Sequence, residues 1–169
     1  VVVPIRNALW ENDDLLDVFI SEKSDQLSQD DLTLVKSWKH RVEGNFFIFR
    51  HLKKHTIVID KNTPATSYGV HGIMDSLADM VGPYLPIYVQ TVLIPFEDRI
   101  IYDSLLSPYP VHFGSGIKQS LNETYRDTKE RGNLITSLPA ERRDVAEIVK
   151  TSNKKVLSAF QKALTAGLM

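Results

Sequence analysis

The sequence predicts an α+β fold: N-terminal helices, a five-strand antiparallel sheet or small barrel, and C-terminal helices. Apolar residues recur at spacings of three and four before residue 43 and again after residue 116, the period of helices with one buried face. Between these regions lie short runs rich in β-branched and aromatic residues, such as Phe46 to Phe49, Thr56 to Ile59 and Val89 to Ile94. The connections are short and carry Gly, Pro, Asn and Asp, so a small antiparallel sheet, curled or partly closed as a barrel, is the economical arrangement. The chain divides into an N-terminal helical segment (1–43), an α+β core domain (44–138) and a C-terminal amphipathic helical segment (139–169).

From Ile5 onward, Leu9, Trp10, Leu15, Leu16, Phe19 and Ile20 fit one buried stripe, which Asn12-Asp13-Asp14 breaks and restarts. Ser28 followed by Asp31 reads as a capping box with Asp in place of Glu, opening a helix with Leu32, Val35 and Trp38 on one face as far as His40. Gly44 begins the β half. The strands at 46–49 and 56–59 look heavily buried, and His51 to His55 makes the reversal between them. Ser67 to Ile73 is a third strand, weakened by Gly69 and Gly72. Leu77, Met80 and Val81 form a short helix stopped by Gly82-Pro83. Val89 to Ile94 and Arg99 to Leu106 pair as a hairpin about Glu97-Asp98, with the first strand ending or bulging at Pro95 because proline cannot donate to a ladder. Phe47, Phe49, Ile57, Ile59, Val92, Ile94 and Ile101 are the expected core. A helix then carries Ile117, Leu121, Thr124, Tyr125 and Thr128 on one face and ends at Gly132. Asn133 to Leu138 is a short strand or an extended return. Beyond it Val145, Ile148, Val149, Val156, Leu157, Phe160 and Leu164 form a second apolar stripe, expected to pack on the N-terminal helices or on another copy.

A chain of 169 residues is long enough for one core. It contains no cysteine, which excludes thiolate zinc, iron–sulfur clusters and cysteine nucleophiles and suits a reducing cytoplasm. No apolar run approaches the roughly 18 residues of a membrane span, so no membrane partner is expected. The chain opens with Val, as a fragment or processed product would. Its net charge of −1 is unevenly placed, at −4 over residues 1–43, −1 over 44–113 and +4 over 114–169. Such asymmetry fits ordinary solvated helical faces, and it also fits attraction between the two ends or between copies, as in a homo-oligomer formed through the terminal helices.

Two stretches are candidates for chemistry. His112-Phe113-Gly114-Ser115-Gly116 hands the backbone to a helix with Lys118 in its first turn. Helix-start amides lack intrahelical partners and favour an anion, so His112, Gly114, Ser115, Gly116 and Lys118 form a candidate anion site with Ser115 as N-cap. The adjacent glycines do not fit a nucleophile elbow, nor the loop a Walker motif. Arg50, Lys53, Lys54 and His55, next to Phe46, Phe47 and Phe49, form a candidate nucleic-acid surface, because single strands need exposed rings beside cations. His51 and His55 are four apart without a metalloprotease Glu, so no metal site is assigned, and His71 and His112 join them only if the sheet brings all four together. Asp103 either faces solvent or accepts hydrogen bonds from a neighbouring turn. No catalytic residue and no cofactor is assigned.

Trp38-Lys39-His40, Val42 to Arg50, Val92 to Phe96, Arg99 to Asp103, Phe113 to Ile117 and Ile135 to Leu138 together resemble an uncharacterised bacterial protein family, mostly Gram-positive, over about residues 35–138. The resemblance implies a bacterial cytoplasmic protein and carries no activity with it. The function expected is a non-enzymatic binding or regulatory module. The alternatives are nucleic-acid binding through Arg50 to His55 and the basic C-terminal helices, or a hydrolase or nucleotide-processing enzyme at the Gly114–Gly116 turn.

Overall fold

The computed structural model describes residues 2–139. The expected stripe at 145–164 lies outside the described residues. Helices α1 (Val2–Glu11), α2 (Asp14–Lys23) and α3 (Gln29–Ser37) precede a short 3₁₀ turn. Strands β1 (Val42–His51), β2 (Thr56–Asp60) and β3 (Ser67–His71) follow, then the short α4 (Leu77–Val81). The chain continues through β4 (Ile87–Phe96), β5 (Arg99–Tyr102), β6 (Ser107–Pro108), α5 (Ser115–Glu130) and β7 (Leu134–Ile135).

The local helix signals translate directly. Ser28 Oγ accepts from the Asp31 N–H at 3.1 Å while an Asp31 carboxylate oxygen accepts from the Ser28 N–H at 3.3 Å, a reciprocal box. The single stripe expected over α1 and α2 is only partly buried. Trp10 and Leu16 are covered, whereas Leu15 and Phe19 are exposed.

The sheet has seven strands and is mixed, which corrects the expectation of five antiparallel ones. Its path runs β1-β2-β3-β5-β4-β6; β3 pairs in parallel with both β5 and β7. Nor is it a plain five-strand barrel, since β6 lies outside as an edge and β7 as a branch. β4 also pairs with β1 from Val42 opposite Leu93 to Ile48 opposite Ile87, so each of the five longer strands has a neighbour on both sides.

This pairing explains why the apolar runs show so little alternation. Phe46, Ile48, Val58, Val70, Val89, Leu93 and Ile100 turn into one central cluster. On the opposite face, Phe49, Ile57 and Ile59 are buried under Leu121 of α5, and Val92, Ile94 and Ile101 under Trp10 of α1. Both faces are covered, so every position of β2 is buried. Six of the seven expected core residues, Phe49, Ile57, Ile59, Val92, Ile94 and Ile101, are buried in these two clusters beneath helices; Phe47 is the exception and is only half-buried. A bulge at Phe49, where the register steps from Ile48–Val58 to Arg50–Ile57, directs Phe49 and Arg50 together toward α5.

Three strand limits also differ from expectation. The third strand ends at His71, β4 runs through Pro95 to Phe96, and β5 ends at Tyr102 and not at Leu106. Tyr109 N–H donates to the Tyr88 carbonyl at 2.9 Å and Asp103 N–H to that of Val92 at 3.0 Å, so the even-numbered residues of β4 bond away from β1. Backbone groups alternate sides along a strand, so Pro95 points toward β1. β1 begins at Val42, opposite Leu93, and offers Pro95 no partner; its missing N–H costs no ladder bond.

Candidate functional site

The first candidate set lies where α5 begins. Gly114, with extended backbone (φ −75°, ψ −179°), is the N-cap and makes no side-chain cap bond, so Ser115 is the first helical residue and not the cap. His112, Gly114, Ser115, Gly116 and Lys118 are all exposed. A Cβ built on Gly114 or Gly116 would meet nothing within 4 Å, so neither glycine is required for a close approach within the chain.

The second set is split by the fold. Arg50 turns onto α5, where it donates to Asn122 Oδ1 at 2.5 Å and lies over the rings of Phe49 (4.9 Å) and Tyr125 (5.8 Å). Asn122 Nδ2 in turn donates to the Lys118 carbonyl at 2.9 Å, so one side chain links the two sets. Lys53 and Lys54 stand exposed at the reversal, while Phe46 and Phe49 are buried away from them.

His55 rests on Gly69, where an added Cβ would come within 2.9 Å of its ring, and faces His71 with ring centroids 5.6 Å apart. His51 is elsewhere, bonded through Nδ1 to Thr56 Oγ1 (2.9 Å) and through Nε2 to the Gly82 carbonyl oxygen (3.1 Å). The sheet thus pairs two of the histidines. Among the described residues no group of three or more side chains could hold a metal ion.

Burial, then the positive charges of His55 and Arg99, hold the His71 pKa below its ordinary value of 6.5, against an opposing pull from Asp98. The unfolded chain therefore takes up this proton first on acidification, so the native state loses stability as pH falls from 6.5 through the lower folded value. Melting curves over that interval should show a steeper loss for wild type than for His71→Gln. Parallel curves would remove His71 from the effect.

A third site was not visible in the sequence. On the outer face of β1 and β4, between α5 and α1, four rings form a file. Phe113 meets Phe47 at 5.4 Å between centroids, Phe47 meets Tyr88 across the strand pair at 4.7 Å, and Tyr88 meets Tyr109 at 5.0 Å. Tyr109 OH donates to Asn45 Oδ1 at 2.9 Å, and Lys61 Nζ stands 5.2 Å from the centre of the Tyr88 ring. Beside the file, where β1 and β2 diverge, a groove of about 270 Å³ is lined by Glu43, Gly44, Asn45, Lys61, Asn62 and Tyr88 among others. A smaller space of about 130 Å³ continues from Glu43 and Gly44 toward α1. The four rings come from three separate segments, β1, β4 and the stretch between β6 and α5, so only the strand register brings them together.

Among the described residues no helix is long and apolar enough to cross a membrane. Comparison of the chain with protein-family models, with curated proteins and with solved structures yields no match.

Proposed function

We propose that the protein is a bacterial, cytoplasmic, non-enzymatic binding module whose ligand surface is the outer face of β1 and β4 beside the groove at Lys61. One observation carries this reading. α5 and α1 cover the neighbouring parts of the outer face, and the stretch they leave open holds the aromatic file. Half-exposed rings beside a polar groove combine apolar contact area with orienting hydrogen bonds. Closed five-strand sheets of the oligonucleotide- and oligosaccharide-binding type use strands 2 and 3 and the reversals after strands 1 and 4. Here Leu121 of α5 packs on Ile57 and Ile59 of β2, and this analogy of fold leaves the β1–β4 face as the accessible one.

The exposed Lys53 and Lys54 favour a second reading, nucleic-acid binding at the β1–β2 reversal. The test is a titration of the labelled protein with an oligo-thymidine dodecamer, maltoheptaose and a pool of random dodecapeptides, followed through backbone amides. The expected first responders are Asn45, Phe47, Tyr88 and Gln90, and Tyr88→Ala should abolish their response. A response confined to Lys53, Lys54 and His55 would move the function to the reversal.

A further inference from the structure

Two histidines meet where the chain leaves the β1–β2 reversal. The register pairs Thr56 with Val70 and Ile57 with Gly69, so one step before β2 it sets His55 opposite His71, the last residue of β3. Side chains alternate along a strand, which places both imidazoles on the outer face with Ile57 and Gly69. Leu121 of α5 covers Ile57 and leaves the two rings half-exposed at the strand end. Gly69 makes room for the His55 ring. Its Cδ2 and Nε2 lie 2.9 and 3.0 Å from where a Cβ would stand, so even alanine there would displace the ring.

The ring nitrogens of this pair are not engaged elsewhere. His51 uses both of its nitrogens, on Thr56 Oγ1 and on the Gly82 carbonyl oxygen. Neither His55 nor His71 makes a hydrogen bond or ion pair with any described residue. Two imidazoles on one tetrahedral ion, with Zn–N bonds of about 2.0–2.1 Å, have their ring centroids roughly 5.2 Å apart. Those of His55 and His71 are 5.6 Å apart, with the planes at 58°. The torsion about the Cβ–Cγ bond of histidine is broad and two-fold, so turning each ring brings one of its nitrogens to the gap. Arg99 and Asp98, the nearby charged side chains that act on His71, pair with each other at 3.4 Å, and neither decides for or against a cation.

The donors select the ion. Imidazole nitrogen suits zinc, copper and nickel, whereas magnesium and calcium take oxygen. Two donors also leave half the positions of a tetrahedral ion to water. We propose that His55 and His71 together hold a divalent late transition ion, zinc or copper, through one nitrogen of each ring, with water in the remaining positions. The pair lies on β2 and β3, so the site stands apart from the β1–β4 ligand surface and does not depend on it.

Stoichiometric zinc chloride added to the chelator-stripped full chain should shift the imidazole C–H resonances of His55 and His71 together, leave those of the exposed His40 and His112 in place, and be reversed by EDTA. Calorimetry should give one ion per chain. His55→Gln and His71→Gln each remove one donor and should weaken zinc at least about tenfold, since even an indirect partner of a metal-bound imidazole is worth that much. His40→Gln should not. Either glutamine variant reads the effect should the other fail to fold. Unchanged zinc affinity in a folded glutamine variant, a response centred on the other histidines, or no shift at millimolar zinc would overturn the site. A shift of the same two resonances by magnesium chloride would overturn the choice of ion.

Discussion

Cutting Phe46 to Ala is expected to lower the stability by about 3–5 kcal/mol, a large part of what a domain of this size possesses. The ring is 1% exposed in the central cluster and meets Tyr68 edge-on, with centroids 6.0 Å apart at 90°. Its removal leaves a void bounded by strands that pair on both sides and so relax little. Phe47→Ala should cost distinctly less, because that ring is half-buried on the outer face. Urea unfolding with unchanged slope is the measurement, the midpoint reporting the loss. Equal losses for the two variants would mean that the alternation along β1 has been assigned wrongly.

Asp103→Ala should be nearly as damaging, through electrostatics and not volume. The Asp103 carboxylate, 4% exposed, accepts from Arg6 Nε at 2.5 Å, from Trp10 Nε1 at 2.9 Å and from the Leu105 N–H of the adjoining turn at 3.4 Å. These bonds fasten α1 to the sheet. Removing the carboxylate leaves a guanidinium, 11% exposed, without its counter-charge, at a cost of about 3–5 kcal/mol for a buried pair broken on one side. The double variant Arg6→Met with Asp103→Leu should recover most of the loss, since replacing both charges by apolar groups is often neutral. Limited proteolysis should cut the single variant within α1 before the rest of the chain opens. An Asp103→Ala chain that unfolds like wild type would show that α1 is held by Trp10 packing alone.

What could be read from the sequence was what depends on near neighbours. The Ser28–Asp31 box, the break at Asn12 to Asp14 and the end of α5 before Gly132 each involve residues a few positions apart. Phe47 and Phe49 show the opposite case. With helices packed outside the strands, apolar residues occur in both phases, and no pattern along the chain distinguishes the central cluster from the outer layers. Pro95 was misread for a related reason, since whether its lack of an N–H matters depends on where β1 begins. For Asp103 the sequence leaves solvent exposure and hydrogen bonding to a neighbouring turn both open; the carboxylate is buried and does accept from the Leu105 N–H, but its main partners lie more than ninety residues away. The candidate site was the least legible part, because Phe47, Tyr88, Tyr109 and Phe113 meet only through the register of β1, β4 and β6.

Pro95 also bears on how the chain survives at high concentration. Past Leu93, β4 outruns β1, and Ile94 and Pro95 are buried there, with Trp38 of the 3₁₀ turn packed on the Ile94 cluster, so that a neighbouring chain would have to displace this cover to extend a cross-β stack. A proline there offers no donor, and its buried ring holds the segment in place. Cover and the missing donor together keep this end of β4 from templating copies of itself.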